Sequence, residues 1–306
     1  MDVLNEWLQE WVLDLQSGRP GVETIKVYRR SIEQFLDWLS EAHRGVTEPA
    51  QVTDKMVKGW MRHLVDQNKA DSTRRVRGIA VRKFFDYVVG EPDSGLYVNP
   101  AASLELPMPK APPVPVVPDE ILSKLLKSMN GATYVDRRDT VIIRMLLDTG
   151  LRRAELAGVN VDDVDLVHQQ VLVLGKGGKK RLLPFGAKTA LALRKYMRVR
   201  ASRAAGPALP LLMSVRSNDT GGWRMTPGGV GEVLTRRCEQ AGLDHLHPHQ
   251  LRHTWAHDLL KSGAGESDVE RLAGWSSPLM IRRYGASVAD ERARDASRRL
   301  ARGDRV

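Results

Sequence analysis

The sequence predicts a mainly α protein with a small antiparallel sheet, organised as a helical first domain followed by a mixed α/β domain. Three observations carry that expectation. Apolar residues recur at helical spacing over most of the chain. Period-two alternation is confined to one place, at Val171–Leu174 and Arg181–Pro184, around a Gly-rich turn. Between the two regions lies "NPAASLELPMPKAPPVPVVPDE", whose prolines at 100, 107, 109, 112, 113, 115 and 118 disfavour both helix and central strand. The expected organisation is therefore a helical domain over 1–95, a semi-extended linker over 96–117 and a second domain over 118–306.

The helices follow in order. The opening "MDVLNEWLQEWVLDLQSG" is amphipathic and acidic. "VETIKVYRRSIEQFLDWLSEA" places Ile25, Tyr28, Ile32, Phe35, Leu36 and Leu39 at helical spacing. "TDKMVKGWMRHLVDQ" begins at a capping Thr53 or Asp54. "DSTRRVRGIAVRKFFDYVVG" begins near Ser72, ends at Gly90 and carries the apolar row Val76, Ala80, Phe84 and Val88. In the second domain "DEILSKLLKSM" and "RRDTVIIRMLLDTG" read as helices, the latter stopped by Gly150. After the hairpin the helical period returns in "KTALALRKYMRVR", "TPGGVGEVLTRRCEQAG", the histidine-rich segment, "ESDVERLAGW" and "DERARDASRRLAR". No internal repeat is visible.

Composition narrows the function classes. Lys and Arg number 47 against 37 Asp and Glu in 306 residues, a formal net charge of +10, which leans towards an anionic partner. A single cysteine, Cys238, excludes an internal disulfide framework and a Cys-rich zinc site. The N-terminus has neither a basic n-region nor an apolar h-region, and no run of about eighteen apolar residues occurs. The expectation is a cytoplasmic protein with no membrane partner.

"HLHPHQLRHTWAH" holds five of the eight histidines. His249, His253 and His257 are four apart, so a zinc site is one reading. It lacks the carboxylate of an H-E-x-x-H arrangement, and Pro248 interrupts the run. The other reading is phosphate chemistry: His249 and Arg252, three apart, are neighbours on one helix surface, and a guanidinium offers a planar fork to phosphate oxygens. Arg152 follows the Gly150 turn, with Glu155 as a pairing partner; Lys176 sits at the hairpin tip; Trp275 precedes Tyr284 by nine residues. In the first domain Arg74, Arg75 and Arg82 lie around Gly78, with Arg77 and Lys83 nearby. A Gly among arginines lets a backbone approach something as large as a DNA phosphate chain; a solvated basic face with an incidental Gly is the bland alternative.

Taken together, "TGLRRAEL", "GKGGKKR", "HPHQLRHTWAHDLL" and "LAGWSSPLMIRRYG" resemble, in order, the motifs of the tyrosine recombinase (phage integrase) family, over nearly the whole chain. The resemblance implies a helical core-binding domain and a mixed α/β catalytic domain, in a simple layout without an arm-binding domain. It implies that Arg152 and Arg252 clamp the scissile phosphate, that Glu155 buttresses Arg152, that Lys176 is the general acid on the leaving 5′ oxygen, that His249 is the histidine of the His-x-x-Arg motif and that Tyr284 is the nucleophile. Trp275 stands where most members carry His. Indole donates one hydrogen bond and does not titrate, so proton shuttling falls to His249 and Lys176. Arg283, beside the tyrosine, is read as backbone-binding or solvated. Arg74, Arg75, Arg77, Arg82 and Lys83 are the candidate DNA contacts of the first domain.

By the same resemblance no cofactor and no metal are expected. The implied partners are double-stranded DNA, a homotetramer on two DNA sites, and accessory directionality or DNA-bending proteins. The reading is a site-specific recombinase working through a 3′-phosphotyrosine, with integrase of a phage or mobile element preferred on account of Trp275 and the closing "ARDASRRLARGDRV". A Xer-type dimer resolvase or a DNA invertase is the alternative. A non-catalytic DNA-binding protein and a metal-dependent hydrolase are the alternatives of other classes. The C-terminal stretch, with Val288, Ala289, Ala293, Ala296 and Leu300, is expected either to cover its own domain or to dock on a neighbouring protomer.

Overall fold

A computed structural model describes residues 3–18, 20–109, 115–175, 178–201, 210–215, 223–275, 281 and 289–305. It divides into two compact units, Met1–Pro112 and Pro113–Val306.

The first unit is built from four helices, α1 (Val3–Ser17), α2 (Val22–Ala42), α3 (Asp54–Asp66) and α4 (Asp71–Gly90). Thr53 caps α3, its hydroxyl accepting from the Met56 amide, which satisfies one of the orphan donors of the first turn. Helices α1, α2 and α4 pack mutually, and α3 packs on α2 and α4. Their aromatic side chains interlock: Trp11 meets Phe84 edge-on at 5.5 Å between centroids, and Phe35 meets both Trp60 and Phe85 edge-on near 6 Å. Such pairs add about 0.5–1.5 kcal/mol each beyond their burial. The apolar row of α4 is turned from its expected phase. Ala80, Phe84 and Val88 are buried, but Val76 is 38% exposed, and Gly78, Val81 and Phe85 face inward in its place.

The Pro-rich stretch is not a free spacer along its first half. Leu96, Ala101 and Leu104 belong to the first unit's core. Arg82 donates from Nε to the Ala101 carbonyl at 3.2 Å and from Nη2 to that of Leu104; Arg75 Nη1 donates to the Pro107 carbonyl at 3.2 Å. Asn99 Nδ2 donates back to the Arg82 carbonyl and to Asp86. Prolines leave this stretch short of backbone donors, and although Ala102 and Leu104 donate to the Asn99 and Ala101 carbonyls, side-chain donors from α4 serve further carbonyl bonds.

The second unit is organised on α6 (Tyr134–Thr149), which follows α5 (Asp119–Lys127). Val141, Ile142, Ile143, Met145 and Leu146 of α6 are all buried, because neighbours pack on several sides. Those neighbours include α8 (Ala187–Ala201), α9 (Pro227–Gln240) and α10 (Pro248–Lys261). After the short α7 (Arg153–Gly158) come three antiparallel strands in sequence order, β1 (Val164–Asp165), β2 (Gln170–Leu174) and β3 (Lys180–Pro184). Val171 lies opposite Leu183 and Leu174 opposite Lys180, so Val171, Val173 and Leu183 point into the core. Helix α11 (Glu266–Ala273) follows α10, and a C-terminal helix spans Ala289–Leu300. On that last helix Ala289, Ala293 and Leu300 are exposed, and Val288 lies outside the described residues.

A buried ionic cluster ties α6 to α9. Asp139, fully buried, accepts from Arg138, Arg236 and Arg237; Asp136 accepts from Arg237. No helix among the described residues is long and apolar enough to cross a membrane.

Candidate active site

The site starts at the end of α6. Gly150 closes the helix in the left-handed region, φ +59°, where a Cβ would be strained. It would also collide: an added Cβ would lie 2.2 Å from the Trp255 ring. Two residues later Arg152 stands at the N-terminal end of α7, its side chain 44% exposed. Glu155, one turn on and buried, grips both ends of that residue. Its Oε2 accepts from the Arg152 backbone N–H at 2.8 Å and its Oε1 from Arg152 Nη1 at 2.9 Å. The second arginine on this carboxylate, Arg181 of β3, donates from Nη2 to Glu155 Oε2 at 2.9 Å. Burial works against the Glu155 charge. The hydrogen bonds from Arg181 and the Arg152 backbone, with the two guanidinium charges, outweigh it and hold the carboxyl below its ordinary pKa.

Helix α10 supplies the second arginine of the predicted clamp. His247 precedes the helix, its backbone N–H donating to Gln250 Oε1 at 2.7 Å, and Pro248 occupies the first helical position. His249 is exposed in the first turn, where the helix dipole favours an anion. Arg252, one turn further, is only 3% exposed. Its Nη1 donates to the Gly150 carbonyl and its Nη2 to the Ala273 carbonyl at 2.7 Å. The guanidinium also lies 5.4 Å from the centroid of the Trp275 ring, within cation–π range. Arg252 thus fastens together the turn that precedes Arg152 and the turn that presents Trp275.

The structure forms two pairs, Arg152 with Glu155 and Arg252 with Trp275; Arg252 reaches the turn before Arg152 through the Gly150 carbonyl, and His249 stands on the same helix as Arg252. Lys176 and Tyr284 lie outside the described residues, as does Arg283. The hairpin is described on either side of the lysine: the Gly175 N–H donates to the Lys179 carbonyl at 2.8 Å, and Gly178 takes φ +77°. The other histidines are dispersed in environment. His253 is 1% exposed, while His245 and His247 are exposed and 3.1 Å apart between ring nitrogens. Two further tyrosines of this unit, Tyr134 and Tyr196, are buried, and burial drives the Tyr196 phenol well above its ordinary pKa.

The first unit corrects the reading of Gly78. That glycine is buried, and an added Cβ would lie 2.4 Å from Leu106 and 3.3 Å from Leu104. The close approach is that of the chain's own Pro-rich stretch, not of an external backbone. Arg75 and Arg82 hold that stretch down, Arg74 pairs with Asp71, and Lys83 is exposed. Arg77 is half-buried, and its pKa is lowered by burial and by the neighbouring charge of Arg30.

Arg181 escaped the sequence reading. It sits in "GKGGKKRLLP", where four basic residues look alike, and only its position on β3 opposite Val173 distinguishes it. Besides Glu155, it reaches the Leu272 carbonyl from Nε at 2.9 Å.

Comparison with known proteins places the chain in a family. A model of the phage integrase family matches residues 116–291, and a model of the phage integrase N-terminal SAM-like domain matches residues 8–91. A tyrosine recombinase XerC of Oceanobacillus iheyensis is 31% identical over 255 residues, covering 83% of this chain and 82% of the relative. A tyrosine recombinase XerD of Corynebacterium glutamicum is 30% identical over 293 residues, covering 92% and 93%. Among solved structures, XerH site-specific recombinase bound to a palindromic difH substrate shares the fold, with TM-score 0.72 at 20% identity over 90% of this chain and 80% of that one.

Proposed function

The chain belongs to the phage integrase family of tyrosine recombinases, and on that premise we propose that it is a Xer-type site-specific recombinase. It is a DNA-cleaving and DNA-rejoining enzyme of that family. The sequence alone leaned to the integrase of a phage or mobile element. That lean rested on Trp275 and the basic closing segment, and the names and near-full-length coverage of the XerC and XerD relatives favour the alternative instead.

The observation that supports the chemistry is that Glu155 holds Arg152 while Arg252 packs on Trp275 and donates to the Gly150 carbonyl, two residues before Arg152. A phosphodiester repels nucleophiles, so its cleavage depends on held cationic donors. In the proposed reaction Tyr284 Oη forms a bond to phosphorus as the bond to the 5′ oxygen breaks, giving a 3′-phosphotyrosine and a free 5′ hydroxyl. His249 takes the phenolic proton and Lys176 supplies one to the leaving oxygen. Arg152 and Arg252 balance charge on the non-bridging oxygens, and the Trp275 N–H donates to one of them without titrating. The phosphotyrosine ester conserves the bond, so a second 5′ hydroxyl can displace the tyrosine without ATP. Two such exchanges between two duplexes need four active sites, which supports a homotetramer on two DNA sites. Accessory directionality or DNA-bending proteins would act on that assembly. In the first domain Arg74, Arg75, Arg77, Arg82 and Lys83 remain the proposed contacts to the duplex, Arg77 and Lys83 foremost, because the other three already serve partners in the chain.

The test captures the covalent intermediate. Protein incubated in EDTA with fragmented total DNA of the strain that carries the gene, and stopped with SDS, is expected to retain DNA covalently; Tyr284→Phe is expected to retain none. Sequencing the retained DNA separates the two family readings. A resident chromosomal or plasmid locus away from the gene supports the Xer-type assignment, and a junction beside the gene overturns it in favour of an integrase. No adduct with either protein, alongside nicking restored by a divalent metal, overturns tyrosine chemistry.

A further inference from the structure

We propose that Arg181 is a positioning residue of the cleavage reaction: it neutralises Glu155, so that the positive charge of Arg152 stays available to the scissile phosphate. The inference rests on the recombinase reading above.

Glu155 is a buried carboxylate with two arginines on it, and they differ in exposure. Arg181 is 12% exposed and Arg152 44%. Arg181 is therefore the inner partner and Arg152 the one that faces outward. Oε2 is shared by Arg181 Nη2 and the Arg152 backbone N–H, while Arg152 offers a single nitrogen to Oε1. With both arginines present the trio carries one net positive charge, carried by the exposed member. Without Arg181 the carboxylate has Arg152 alone as its counter-charge, and the pair presents no net charge to an anion.

The surroundings hold Arg181 in this role. Its Nε is committed to the Leu272 carbonyl at 2.9 Å, near the end of α11 and three residues before Trp275. Gly274, φ +63°, leaves the room the guanidinium occupies: an added Cβ there would lie 3.1 Å from Nη1 and 3.2 Å from Cζ. A Cβ on Gly175, the residue before Lys176, would lie 3.0 Å from the same Nη1. One planar side chain therefore spans the base of the hairpin, the carboxylate beneath Arg152 and the turn before Trp275. Lysine would keep the charge but not the two-directional fork.

The experiment uses full-length protein and short duplexes centred on the captured cleavage site, one with an ordinary scissile phosphodiester and one with a methylphosphonate there. A methylphosphonate is uncharged and needs less cationic help. On the phosphodiester, Arg181→Gln is expected to form adduct about 100-fold more slowly than wild type, and Arg181→Lys about fivefold more slowly. Their DNA affinities are expected within about threefold of wild type, since no phosphate contact is removed. On the methylphosphonate the deficit of Arg181→Gln is expected to shrink below about fivefold. Arg181→Gln combined with Glu155→Gln is expected to lose no more than the worse single variant. An equal deficit on both substrates would mean that Arg181 only supports the fold and would overturn the proposal, as would a wild-type rate for Arg181→Gln. Absence of any wild-type adduct would instead count against the recombinase reading itself.

Discussion

Asp139→Asn isolates what the buried ionic cluster between α6 and α9 contributes. The wild-type carboxylate accepts four hydrogen bonds, from Arg138 Nε at 3.1 Å and Nη2 at 2.9 Å, from Arg236 Nη2 at 2.6 Å and from Arg237 Nε at 2.8 Å. Asparagine keeps one acceptor oxygen and turns an N–H₂ group towards guanidinium donors. Arg138 and Arg237 are almost wholly buried, so their charges would lose their shared counter-ion out of reach of water. Breaking a buried pair from one side costs about 3–5 kcal/mol. The lower end applies here, because Arg237 keeps Asp136 at 2.9 Å, Arg138 keeps the Met213 carbonyl at 3.1 Å, and Arg236 is 43% exposed. A loss of about 3 kcal/mol in a unit of this size lowers its Tm by about 6–12 °C. Calorimetry of the full chain, following the transition of the second unit, reads this directly. A fall of less than about 2 °C would refute the premise that the carboxylate offsets these charges. Replacing the cluster by apolar residues of similar volume, Asp139→Leu with Arg138→Met and Arg237→Leu, is expected to recover most of the loss.

Three further outcomes follow from the structure. Gly150→Ala places a side chain at φ +59° and against the Trp255 ring; it is expected to cost about 2 kcal/mol or more in urea denaturation and to depress adduct formation by moving Arg152, and unchanged values of both would contradict the close packing. Glu155 binds its proton less readily folded than unfolded, so its contribution is complete above the unfolded pKa of about 4.3 and fades as pH falls through the lower folded value; Glu155→Gln is expected to be less stable than wild type at pH 7 and to converge with it as the pH of a Tm–pH series falls below the unfolded value, and parallel curves would be the contrary result. Arg82→Met removes the anchors to Ala101 and Leu104; limited proteolysis within residues 96–109 is expected to quicken about tenfold, and an unchanged rate would show that Leu96, Ala101 and Leu104 hold the segment alone.

Much of the fold was legible locally. Helical spacing located α2, α3, α4 and α6, Thr53 marked a start and Gly150 a stop, and period two around a Gly-rich turn placed the β2–β3 hairpin. These signals lie within a turn or two of the residues they describe, because caps, left-handed glycines and amphipathic periods are set by neighbouring positions. The phase of α4 was less legible: Val76 matched the spacing, yet Phe85 and Val81 face the core, since two apolar rows competed and packing against α1 and α2 chose between them.

The sequence by itself determined the family, through four motifs in order, and named Arg152, Glu155, Lys176, His249, Arg252, Trp275 and Tyr284 as the candidate residues. Only the tertiary structure decided that Gly78 admits Leu106, that Arg75 and Arg82 restrain the Pro-rich stretch, and that Arg181 shares Glu155 with Arg152. The partners of Arg181 lie 26 and 91 residues away along the chain. A basic side chain carries no mark of whether its charge will meet water, a carbonyl or a buried carboxylate. That choice is made when distant elements pack and every buried polar group must find a partner.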